Sequence, residues 1–209
     1  MLYNVSSEYI IHKMYSLYTF LMENLKKPYR HGNLAEALVT DALVLLETQS
    51  ADELSIRVLA DRAGVSPRAP YVHFPTKSDL LFAIADRGFQ MLIDDSAAAG
   101  DEIASIGRAY IGLAVRHPNL FRLMFSGMVA QEKKCGSAGD SYEQLMNAIS
   151  KANPNWGEAE IMQAAVSLWA LVHGIADLRI EGLIPDETWE TLSLEMMASY
   201  IGTIVAGDG

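Results

Sequence analysis

Arg68, Ala69, Tyr71 and His73 place a guanidinium, a methyl, a phenol and an imidazole in one short run of the chain. A guanidinium pairs bidentately with the edge of guanine, and a small apolar group meets the thymine methyl. Tyr71, His73 and the nearby Lys77 suit phosphate oxygens, contacts that position a protein on a duplex without reading its sequence. Nothing in this set is arranged to break bonds. The chain carries no nucleophile elbow, phosphate loop or zinc-ligand spacing. Its five histidines, at 12, 31, 73, 117 and 173, are scattered, and no pair has metal-ligand spacing on one helix. No catalytic residue, metal or cofactor is expected, and an enzyme is not the expected class.

Such groups need a mount, and the flanking sequence supplies one. In LSIRVLADRAGVSPRAPYVHFPTK, residues 54–77, Ser55 stands where it can cap a helix over about 56–63. Gly64 supplies the left-handed residue that ends it. Val65 packs inward, Ser66 caps a second helix and Pro67 takes its first position, where a missing N–H costs nothing. Phe74 is that helix's one large apolar anchor. Helix, glycine turn, helix is the arrangement that presents a second helix to the DNA major groove. By spacing alone, a helical hairpin with a solvated polar face fits equally.

The stretch GVSPRAPYVHFPTKSDLL closely resembles the recognition helix and following segment of the TetR family of bacterial one-component regulators. SIRVLADRA is similar to that family's second helix and PYRHGNLAEALVTDALVLLE to its first, so the likeness runs from about Lys26 to Met91. One departure is Pro70, which stands where many members carry Leu. The resemblance implies a DNA-contacting surface made by Ser55, Arg57, Ser66, Pro67, Arg68, Ala69, Tyr71, His73 and Lys77. It also implies double-stranded DNA as partner, bound at a palindromic operator by a homodimer.

Composition and charge agree with that division. Half of the 209 residues are hydrophobic, helix formers dominate and no alternating β-branched run appears, so the chain reads as all-α with about nine helices. One cysteine, Cys135, excludes an internal disulfide and fits a reducing cytosol. The net charge is −10, unevenly spread: residues 26–87 balance to zero, residues 88–209 carry −9 and residues 1–25 carry −1. A neutral head with cations at its rim is attached to an acidic body, which DNA repels. Residues 1–25 form a non-family extension, either an over-extended start or a loosely packed arm, whose apolar segment from Tyr9 to Met22 is too short for a membrane span. Residues 26–77 are expected to be the DNA-binding domain and 78–209 an effector-binding and dimerisation domain.

Along the chain, Lys26, Lys27, Arg30 and His31 make a small basic cluster, either a solvated tail or a phosphate-contacting arm. Asn33 and Glu36 form a capping box for a first helix over about 34–48, whose Leu34, Leu38, Ala42, Leu45 and Leu46 should pack on Leu54, Leu59 and Val65. Thr76 with Asp79 opens a long helix to about Ser96, shared between head and body. A fifth helix covers Ile103 to Arg116, and a short sixth holds Leu120 to Met128. A polar loop spans 131–139, and three further helices run over about 141–151, 157–181 and 187–206.

WALVHGIADL, with Trp169, His173 and Gly174, resembles the W-x-x-x-H-G signature of one branch of TetR-type C-terminal domains, and residues 108–127 are similar to the middle of that domain. The plain reading is a buried aromatic on a hydrogen-bonded core histidine, with Gly174 allowing close helix approach. Phe89, Leu92, Tyr110, Phe121, Met124, Phe125 and Met128 cluster on the fourth to sixth helices. They make either a closed core or, as the resemblance implies, a pocket completed by Trp169 and His173 for a small apolar or amphipathic effector. Ile161, Ala165, Leu168, Val172 and Ile175 trace one stripe of the eighth helix, and Trp189, Leu192, Met196, Tyr200 and Ile204 one of the ninth, which are expected to build the dimer. The family's usual mode is repression relieved by ligand. A helical small-molecule carrier without a DNA role is the alternative.

Overall fold

The computed structural model describes residues 33–100, 102–127, 129, 136–185 and 188–189. Within them lie seven α-helices and two short 3-10 helices, and no strand. Helix α1 (Leu34–Leu46) starts at Asn33, whose side chain accepts the Glu36 amide at 3.2 Å. The expected reciprocal half of that box is replaced, because the Glu36 carboxylate pairs with Arg87 on the long helix. Leu34, Leu38, Ala42 and Leu46 are buried on one face and share a core with Leu54, Leu59 and the partly buried Val65. A 3-10 helix (Ala51–Glu53) then leads into α2 (Ile56–Arg62).

Helix α2 ends in a Schellman motif. The Val65 amide donates to the Ala60 carbonyl at 3.0 Å and the Gly64 amide to Asp61 at 3.1 Å, with Gly64 at φ 67°. The expected α-helix after it does not form. Residues Ala69–Val72 make a 3-10 helix, with the Ala69 amide on Ser66, Tyr71 on Arg68 and His73 on Pro70. The cause is Pro70, which has no amide to donate to the Ser66 carbonyl four residues back, so the shorter i to i+3 bonds take over. Ser66 and Pro67 consequently precede the turn rather than cap it, and Arg68 holds the cap position without a side-chain bond. Ser55 sits at the N-cap of α2, but its hydroxyl makes no capping bond.

Helix α3 (Lys77–Ala99) opens on a full capping box: Thr76 Oγ1 accepts the Asp79 amide at 3.2 Å and the Asp79 carboxylate accepts the Thr76 amide at 3.0 Å. Gly100, at φ 106°, ends it. Around α3 pack α4 (Ile103–Arg116), α5 (Pro118–Met124) and α6 (Gly136–Ala152), and α7 (Glu158–Ile180) closes over α4 and α6. α6 begins at least five residues before the expected position, inside what was read as loop. Its first turn is anchored on α3, where Asp86 Oδ1 accepts the Ser137 amide at 3.0 Å. One continuous core runs from Leu34 to Ala176.

Gly88 is the close approach in that core. A Cβ built on it would stand 2.6 Å from Met124 Sδ and 3.1 Å from Leu120 Cδ1, so α5 lies directly on the α3 backbone there. Gly174 is not such a point: it is exposed, and a Cβ on it meets nothing within 4 Å. The α7 stripe expected at a dimer face is mostly occupied within the subunit, with Ala165, Leu168 and Val172 buried. The exposed apolar groups lie on another face, at Met162, Val166, Ala170, Gly174 and Leu178, each one turn from the next. Helix α7 is long and apolar enough to cross a membrane by length and composition, but Ala165, Leu168 and Ala176 are among its side chains buried in the body. The arm 1–25, the basic cluster at 26–31 and the ninth helix beyond Trp189 lie outside the described residues.

Candidate nucleic-acid interface and body cavity

The reading segment is displayed by its own turn chemistry. The 3-10 helix packs on α1 and α2 and is pinned by Pro70, among the most buried residues, and by Phe74. The residues between them face outward, with Tyr71 half exposed, Val72 80% exposed and His73 exposed, and Arg68 before Pro70 is exposed as well. Ser66, Pro67 and Arg57 are exposed on the same substructure, whereas Ser55 and Ala69 are only partly accessible. Val72 is not among the DNA-contacting residues that the resemblance implies. Its exposure gives the segment a second apolar group able to meet a thymine methyl.

Lys77 is less free than its position suggests. Its ammonium donates to the Asp52 carbonyl at 2.6 Å, tying the start of α3 to the 3-10 helix before α2. A lysine ammonium has three donors, so phosphate contact stays open while one donor serves the fold.

The body holds a cavity of about 740 Å³ between α3, α4, α6 and α7, open to solvent on the side of Val166 and Trp169. Of the expected residues, Phe89, Leu92, Tyr110, Met124, Phe125, Trp169 and His173 line it. Phe121 does not: it is buried behind the wall, edge-on to Tyr110 with centroids 5.5 Å apart. Met128 lies outside the described residues. The wall contributed by α6, including Tyr142 and Leu145, was not anticipated. Its signal was present as Ala138, Tyr142, Leu145 and Ile149 at helical spacing, hidden by the reading of 131–139 as loop.

Three side chains of the cavity wall bond one another. Trp169 Nε1 donates to the Tyr110 hydroxyl at 3.1 Å, and that hydroxyl lies 2.7 Å from His173 Nδ1. A phenol that accepts from the indole has its own proton left for the imidazole. On the other side of the ring, His173 Nε2 lies 3.5 Å from Asp177 Oδ2. Burial pushes the Tyr110 phenol well above its ordinary range, against the Trp169 hydrogen bond and with help from the Asp177 charge. The histidine is hydrogen-bonded, as the plain reading required, but Trp169 is 40% exposed rather than buried.

A helix-turn-helix head continued by one long helix into a body with an apolar cavity defines a class, the ligand-pocketed DNA-binding regulators. Two family models match: "Bacterial regulatory proteins, tetR family" over residues 38–84 and "Tetracyclin repressor-like, C-terminal domain" over residues 103–199. The chain belongs to the TetR family and is a DNA-binding transcriptional regulator, not an enzyme. An uncharacterised HTH-type transcriptional regulator of Mycobacterium tuberculosis is 25% identical over 175 residues, covering 78% of this chain and 77% of that one. A protein of unknown function from Rhodococcus sp. RHA1 has a similar fold at TM-score 0.64 and 27% identity, covering 87% of this chain and 98% of that chain. The structure of BioQ with its double-stranded DNA operator matches at TM-score 0.59 and 22% identity, covering 80% of this chain and 96% of that one, and shares the fold.

Proposed function

We propose that this regulator binds a palindromic operator as a homodimer and leaves it when a small apolar or amphipathic effector fills the body cavity. The observation that carries the reading is the course of α3. The helix begins beside the reading segment, at Thr76, and its far half lines the cavity through Phe89, Leu92 and Ser96. A tilt of α3 would therefore reset the separation of two reading segments in a dimer. A ligand shifts that equilibrium by no more than its differential affinity for the two states.

The two-part reading, with residues 26–77 as the DNA-binding unit and 78–209 as the effector and dimerisation unit, belongs to this proposal. The dimer would use the exposed stripe from Met162 to Leu178, whose Val166 and Ala170 also border the cavity mouth and where Gly174 leaves room for a second helix. Two-fold symmetry matches a two-fold site. In this reading α7 is a core and interface helix rather than a membrane span, and the protein works in the cytoplasm. Repression relieved by ligand is the mode that follows.

Gel shift with the DNA flanking the gene tests the operator, and sedimentation at micromolar concentration tests the dimer. Linkage makes the effector test strict: the factor by which ligand weakens operator binding equals the factor by which operator weakens ligand binding. Calorimetry on free and operator-bound protein measures both. Equal ligand affinity in the two forms would end the claim that the cavity controls the head.

A further inference from the structure

The cavity wall holds one fully buried side-chain polar atom that the fold leaves unused. Ser96, on the cavity side of α3, is 1% exposed, and its Oγ is the buried side-chain polar atom without a hydrogen-bond partner among the described residues. A helical serine ordinarily closes its hydroxyl on the carbonyl one turn back. Here that bond is not made. Among the other polar side chains of the wall, Tyr110, His173 and Trp169 bond one another and Ser141 Oγ donates to the Ala138 carbonyl at 2.9 Å, while Tyr142 and Gln144 line the α6 side at partly exposed positions. No Asp, Glu, Lys or Arg is among the described residues that line the cavity.

From these observations we infer that the effector is an uncharged, largely apolar molecule with one hydroxyl or carbonyl oxygen, and that Ser96 is the residue that reads this oxygen. This inference rests on the cavity being the effector site. An ionised group at the buried end would meet a wall without Asp, Glu, Lys or Arg, and burial without a counter-charge is strongly unfavourable. A neutral oxygen meets a hydroxyl that has both a donor and acceptor capacity free. The bond also falls on α3, the helix that runs on to the reading segment, so the polar end of the ligand touches the element whose tilt matters.

Three probes of one shape separate the possibilities: 4-hydroxybiphenyl, biphenyl and biphenyl-4-carboxylate, titrated against the full-length protein by Trp fluorescence and calorimetry. The phenol is expected to bind at least about tenfold more tightly than the carboxylate, the equivalent of about 1.4 kcal/mol. Ser96→Ala is expected to weaken the phenol about tenfold while leaving biphenyl unchanged, so the phenol's advantage over biphenyl disappears. Carboxylate binding equal to phenol binding, or a phenol preference that survives Ser96→Ala, overturns the inference and leaves the cavity reading intact. Binding of none of the three overturns the cavity reading and the inference with it. Thermal unfolding of the ligand-free variant gives an independent readout. A free buried hydroxyl predicts an unchanged or raised Tm for Ser96→Ala, and a Tm lowered by several degrees would show that the fold already uses the hydroxyl.

Discussion

The imidazole Nδ1 of His117, at the entrance to α5, lies 2.7 Å from Oε1 of Glu47 at the end of α1. Beside it Asn119 Nδ2 donates to the Leu46 carbonyl at 2.9 Å, closing an acceptor that the end of α1 leaves open. Head and body are thus joined at a second place besides α3. The Glu47 side chain is 46% exposed, so this contact is screened and should be weak. A double-mutant cycle on His117→Ala and Glu47→Ala should give a coupling below about 1 kcal/mol. Asn119→Ala should cost about 1 kcal/mol by itself. Urea denaturation of the four variants checks both, and a larger His117–Glu47 coupling than amide effect would reverse this ranking.

Arg68 and Lys77 should fail differently. Arg68 is exposed and carries no bond that caps the turn, so Arg68→Ala should leave the fold intact. It should weaken operator binding by about 1–3 kcal/mol and relax specificity at one operator position. Lys77→Met should weaken binding to every sequence and flatten the salt dependence by about one unit. It should also lower stability by about 1 kcal/mol, because its bond to the Asp52 carbonyl is lost. Titrations of operator and random DNA at several salt concentrations distinguish the two. An unchanged operator-to-random ratio for Arg68→Ala would remove its base-reading role.

Gly88→Ala tests the contact between α3 and α5. Alanine is the better helix former by up to about 1 kcal/mol. Against that, its methyl would meet the buried Met124 and Leu120 side chains, and overpacking typically costs about 1–3 kcal/mol. The expected result is a net loss of about 1 kcal/mol in chemical denaturation. A stabilised variant would show that Met124 yields freely, as it would if the cavity beside it absorbed the displaced thioether.

Tyr110 sets an alkaline limit. Its native pKa is raised above the ordinary 10.0, chiefly by burial. Above about pH 10 the unfolded chain has released this proton while the native state still holds it, so stability falls as pH rises. The slope from one such group is about 1.4 kcal/mol per pH unit. Tyr110→Phe should lose about 1–2 kcal/mol at neutral pH, where Trp169 and His173 lose their shared partner. Between about pH 10 and pH 11 its stability should fall less steeply than wild type by roughly one proton. Urea midpoints across that range measure the slope, and parallel slopes would place the Tyr110 phenol in water.

Much of the reading head was legible residue by residue, because its determinants are local. Gly64 needs a positive φ, Thr76 and Asp79 cap one another three residues apart, and Leu34, Leu38 and Ala42 repeat at helical spacing. Each is decided by neighbours in the chain. Pro70 marks the limit of that legibility. Its presence in the first turn was plain, but whether the segment stays α-helical depends on which carbonyl the remaining amides can reach once it is packed on α1 and α2.

The body depended on contacts between residues far apart. Two stripes run along α7, one through Ala165 and Leu168 and one through Met162 and Val166, and both are apolar. Periodicity reports that a face is apolar, not which helix covers it. Only the packing of α4 and α6 on α7 decided which stripe was buried. The same holds for Tyr110, whose hydroxyl meets Trp169 and His173 across 59 and 63 positions of sequence, and for Ser96. A serine near the end of a helix reads as solvent-facing. It becomes a buried, unpaired hydroxyl only because α4 and α6 close around it to form a cavity, and no pattern along one helix records where another will stop.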